Sequence, residues 1–135
     1  MNPVLWTPSQ ERQQASLLWR FMQSAPTKLE TYTDVHRWSL NAMEDFWAHF
    51  WKFSGLRASH DYDRVLVNTE MLDAHWFPGA QLNYAENLLA GDADRLAIIG
   101  CGEGRDDERL TRGELLLRVA SAQTGLRALG LRHGS

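Results

Sequence analysis

HWFPGAQLNYAENLL, residues 75–89, begins as a turn and ends as a helix. Pro78 fixes its own φ and Gly79 tolerates a positive one, so the pair marks a turn. Asn83 then carries the side chain of a helix N-cap, and Glu86 stands three residues on, where it can reach back to the cap's own N–H. Gly91 would close that helix. Trp76, Phe77, Leu82, Tyr84, Leu88 and Leu89 are too many large apolar groups for a solvent-facing turn, and apolar density is the common mark of a core. The stretch therefore reads as an anchor between two parts of a structure, with ligand binding as the alternative.

Working back from it, the strongest periodic signal lies upstream. Met43, Phe46, Trp47, Phe50 and Trp51 recur at three- and four-residue spacing after a capping-box pair, Asn41 and Glu44, and Gly55 stops the run, which predicts a helix from 42 to about 53. Burying each of these large side chains is worth about 1.5–3 kcal/mol, so the stripe must meet a partner surface. The first helix and the Trp76-Phe77 turn supply one, and together they are expected to form the main core of the N-terminal half. A base-stacking platform is the alternative, but such platforms carry cations along the strand path, and Lys52 is the only Lys or Arg here. The first helix opens at Thr7-Pro8-Ser9-Gln10, with an N-cap, a proline at the first helical position and a capping-box Gln. It runs to about Ala25, which Pro26 pushes out of the α region. Leu17, Leu18, Phe21 and Met22 form its apolar face, for its own core or for a partner. Residues 1–6 read as an extended arm, and residues 31–39 as a short helical turn with Val35 and Trp38 inward.

Downstream, residues 65–67 can extend, and after Gly91 the period changes. Leu96, Ala97, Ile98 and Ile99 make a short β-branched run that reads as a strand. Gly100, Gly102 and Gly104 follow it, yet a G-x-G-x-x-G phosphate loop needs glycine at 105, where this chain has Arg105. Glu103, Asp106, Asp107 and Glu108 would also repel phosphate. A hairpin loop to a return strand at Arg109-Leu110 is the reading that remains favoured. Thr111 and Glu114 form a further capping box, opening a helix from 112 to about 129 that ends at Gly130. Its expected inward face is Leu115, Leu116, Val119, Ala122, Leu126 and Leu129. The fold class is α+β, mostly helical.

With 135 residues, 44% of them hydrophobic, the chain is one domain or one piece of a domain. A net charge of −3 offers no basic face for nucleic acid, and no stretch is long and apolar enough to span a membrane. Cys101 is the single cysteine, so no internal disulfide forms; with no signal peptide evident, a cytoplasmic setting is expected. The five histidines, His36, His49, His60, His75 and His133, show no metal-ligand spacing. His60, Asp61 and Asp63 come nearest to a ligand set, but they lie in a polar, turn-forming stretch. No Ser-His-Asp or Cys-His spacing suggests a nucleophile. No catalytic, cofactor-binding or metal-binding residue is therefore assigned, and a homo-oligomer is left open.

W-F-P-G-A-x-L-N-Y-A-E-N-L-L, over residues 76–89, resembles the N-terminal signature of the acetoacetate–CoA ligases, relatives of acetyl-CoA synthetase among the adenylate-forming enzymes. Tyr84, Ala85, Glu86 and Asn87 favour the acetoacetate branch. Similar likenesses lie at Leu5-Trp6-Thr7-Pro8, at Trp38-Ser39 with Phe46-Trp47, and at LRALGLRHG over 126–134. The resemblance implies a helical N-terminal region over 1–91, followed over 92–135 by the opening β-β-α unit of the AMP-binding domain, truncated. A family ligase is several times longer. Ser135 stands where the family usually has Asp, at the start of a core parallel strand, which implies that Gly134-Ser135 is not native to a longer enzyme. The family holds ATP phosphates on a Ser/Thr/Gly-rich loop ending in Lys and uses a catalytic Lys in a mobile C-terminal domain; neither occurs in this chain. ATP, Mg and CoA are thus implied for a full-length parent acting on acetoacetate, with the remainder of that ligase as partner. The chain alone is expected to be inactive and to bind no cofactor. A stand-alone helical interaction module without catalysis is the alternative.

If Asn83 caps a helix, Asn83→Ala costs about 0.5–2 kcal/mol in a denaturant titration, whereas Asn83→Asp costs little. Equal losses for the two variants would mean that the amide has another task.

Overall fold

The computed structural model describes residues 5–132. The chain divides into two compact units, Met1–Asn83 and Tyr84–Ser135. It is mostly helical, with two small antiparallel sheets.

In the first unit, the predicted opening helix is two helices, α1 (Gln10–Gln14) and α2 (Leu17–Ser24). Serines decide the break. Ser9, rather than Thr7, accepts the N–H of Arg12 at 3.3 Å, and Ser16 accepts that of Trp19 at 3.1 Å. Ser16 is extended, with ψ 153°, because its hydroxyl offers the backbone an alternative to continuing the helix. α2 ends where expected, with Ala25 extended before Pro26. Leu5 and Trp6 lie outside any helix; residues 1–4 of the expected arm lie outside the described residues.

The expected turn at 31–39 is a full helix, α3 (Tyr32–Asn41), whose capping box is Thr31 with Asp34. Its extension to Asn41 removes the cap predicted for the next helix. α4 (Met43–Ser54) follows a single residue, Ala42, which makes no side-chain cap bond. Gly55 stops α4 in the left-handed region at φ 66°, as read from the sequence.

Phe21, Met22, Leu29 and Val35 are the buried centre, and Ala25, Trp38, Phe46 and Phe53 pack against it. The ring of Phe21 lies 4.7 Å from His49, 5.1 Å from Phe53, 5.6 Å from Phe46 and 6.1 Å from Trp38. The core of this unit therefore centres on α2 and α3. No residue of α4 is fully buried, although its stripe supplies much of the aromatic wall. His49 also ties the helices through polar atoms: its Nε2 is 3.3 Å from the Phe21 carbonyl and 3.2 Å from Ser24 Oγ. β1 (Leu66–Val67) and β2 (His75–Trp76) pair antiparallel, Leu66 opposite Trp76.

The second unit opens with α5 (Tyr84–Leu89), directly after Asn83 in sequence. β3 (Leu96–Gly100) and β4 (Glu108–Thr111) then form the expected hairpin, Gly100 opposite Glu108. The glycine-rich loop at 101–107 returns to a strand and opens no helix, so it has no helix N-terminus of the kind that holds phosphate. α6 (Arg112–Ala128) starts on the Thr111/Glu114 box. It ends in a Schellman motif, Gly130 N–H on Arg127 C=O at 3.0 Å and Leu131 N–H on Leu126 C=O at 3.1 Å. Arg112 clasps α5, with Nη1 donating to the Leu88 carbonyl at 3.0 Å.

The inward face expected for α6 is not buried. Leu116 and Val119 are more than two-fifths exposed, Leu126 is 49% and Leu129 80% exposed. From residue 116 to 132 every residue is exposed, and Leu110 of β4 is the buried residue of this unit among those described.

Both capping boxes carry a pH signature. Asp34 is held below its ordinary value of 3.8, chiefly by the Thr31 hydroxyl and then by the N–H groups of Thr31 and Glu30. Glu114 is held below 4.5, chiefly by the Thr111 N–H and then by its hydroxyl. A depressed carboxylate contributes stability that is complete above its unfolded value and lost as pH falls through the folded one. Acidification below these ordinary values should therefore loosen the starts of α3 and α6, seen as faster amide exchange at Asp34 and Glu114. Replacing Glu114 by Gln should remove that pH response at α6 alone.

Candidate functional site

The turn at 76–81 is held by backbone, which is how a short irregular segment acquires a fixed shape. Residues 59–65 run beside it. Phe77 N–H donates to Val65 C=O at 2.8 Å, Asp63 N–H to Pro78 C=O at 2.9 Å, Gln81 N–H to His60 C=O at 3.0 Å and Ser59 N–H to Gln81 C=O at 2.8 Å. The turn is thus tied to an irregular segment, with an isolated antiparallel bridge between His60 and Gln81.

Its side chains face α4. Trp76 meets Trp47 edge-on at 5.6 Å, and Phe77 lies 4.7 Å from Trp51 and 5.2 Å from Tyr62. The predicted single cluster of α4 and the Trp76-Phe77 turn is present, with Trp76 still 42% exposed. Phe77 adopts φ 48°, an unusual conformation for a bulky residue. Gly79 adopts φ 85°, and a Cβ there would lie 2.6 Å from the Asp63 carboxylate. Only glycine fits both the angle and the space.

Asp63, through its backbone N–H, and His60, through its ring, both bond this turn. His60 Nδ1 lies 3.0 Å from the Gly79 carbonyl and 2.7 Å from that of Asp61. Among the described residues, no group of three or more His, Cys, Asp or Glu could hold a metal ion. Cys101 is exposed in the β3–β4 loop, and Arg105 Nη2 reaches its carbonyl at 3.5 Å. No nucleophile, base and orienting group converge here, and the shifted carboxylates cap helices. The arrangement fixes a chain reversal against an aromatic wall.

Two of these features escaped the sequence. Thr31-x-x-Asp34 was a readable capping signal. The Asp63–Gly79 contact joins positions 16 apart and left no local trace beyond the glycine itself.

Residues 32–88 match the family described as "Acetyl-coenzyme A synthetase N-terminus". The chain is 36% identical over 137 residues to an acetoacetyl-CoA synthetase of Macaca fascicularis, covering 97% of this chain and 20% of that protein. It is 35% identical to a malonamoyl-CoA synthetase of Penicillium aethiopicum, covering 93% and 19%. Among solved structures, acetoacetyl-CoA synthetase from Streptomyces lividans superposes with a TM-score of 0.81 at 34% identity, over 97% of this chain and 22% of that one. Over residues 32–88 the chain is thus similar to the N-terminal region of acetyl-CoA-synthetase-type ligases, and its fold is similar to that of an acetoacetyl-CoA synthetase.

The relatives named are in the main acetoacetyl-CoA synthetases, and the similarity is to their N-terminal portion. The chain spans about a fifth of the length of the curated relatives it matches.

Gly79→Ala should destabilise the first unit by about 1–3 kcal/mol from backbone strain, with the carboxylate overlap adding to it. Asp63→Gly in the same chain should restore part of the loss, read from denaturant midpoints. No loss on Gly79→Ala would remove the turn from its structural role.

Proposed function

We propose that this chain is the N-terminal structural part of an acid–CoA ligase and is inactive by itself. The observation that carries the reading is its similarity over 97% of its residues to acetoacetyl-CoA synthetases. The whole enzyme would join acetoacetate to CoA in two transfers. A carboxylate oxygen attacks the α-phosphorus of ATP, releasing pyrophosphate, and the CoA sulfur then displaces AMP from the acyl carbon. ATP, Mg and CoA would be held by residues outside this chain.

The acid class is a short one with a carbonyl at its third carbon. Acetoacetate carries a methyl where malonamate carries an amino group of nearly the same size, and synthetases of both kinds are similar to this chain. Acetate lacks that carbonyl altogether. Residues 1–91 would be the helical region that precedes the AMP-binding domain, and residues 92–135 the start of that domain. The exposed face of α6 is the surface on which the remainder of the ligase would pack, because burying Leu126 and Leu129 there recovers about 1.5–3 kcal/mol for each. A reducing cytoplasm suits its free cysteine.

The test is pyrophosphate release with ATP, Mg, CoA and each of acetoacetate, malonamate and acetate. This chain should give none above a blank, while a parent reading frame carrying the Ser/Thr/Gly-Lys loop should turn over acetoacetate in preference to acetate. Turnover by the purified chain alone would overturn the reading. A parent that prefers acetate would overturn the acid class, and a gene with no such parent frame would favour a stand-alone interaction module.

A further inference from the structure

We draw no further inference here: the strongest candidate, the aromatic groove beside α1 that Trp6, Arg12, Trp19 and Tyr32 line, carries nothing because nothing in the structure shows what covers it.

Discussion

The ring of Phe21 is the contact on which the first unit depends. α2 is only eight residues long, too short to persist in water by its own hydrogen bonds. Its helical state is held by burial of Phe21 and Met22 beneath α3 and α4, and the His49 ring closes over Phe21 while reaching the carbonyl end of the same helix. Truncating a buried Phe typically costs about 3–5 kcal/mol, a large share of what a small unit possesses. From this centre the aromatic wall of α4 runs outward to Trp47 and Trp51, and there it receives the turn at 76–81.

That turn gives the aromatics of the signature a packing role. Trp76 and Phe77 bind it to α4 by ring contacts, while residues 59–65 bind it by backbone hydrogen bonds. Gly79 is required by its angle and by the nearby Asp63 carboxylate, not by a ligand.

Much of this was legible because the deciding forces are local or periodic. The α4 stripe, the Gly55 stop, the β3–β4 hairpin and the Thr111/Glu114 cap each depend on residues within a few positions of one another. The errors arose where two local signals competed. Ser16 outbid the helical pattern running through it, and Asn41 resembled a cap but was absorbed by the longer α3. The expected inward face of α6 is uncovered for a different reason: apolar spacing says that a face wants cover, whereas exposure of Leu126 and Leu129 depends on what the rest of the molecule supplies. The centring of the core on Phe21 rather than on α4 was likewise invisible, since it is set by how three helices meet. As for the site, the turn and its aromatic partners were readable, while the Asp63 contact was not.

The two units differ in how well they cover their own apolar groups. The first has a buried cluster, whereas in the second Leu110 is the buried apolar side chain among the described residues. Native-state hydrogen exchange followed residue by residue on this chain tests that asymmetry directly, since protection tracks the free energy of local opening. Slow exchange through residues 18–24 and 43–54, with much faster exchange at 96–100 and 108–111, is the result predicted for a scaffold whose stability resides in the Phe21 cluster. The reverse order, with the hairpin protected and α2 and α4 open, would contradict it.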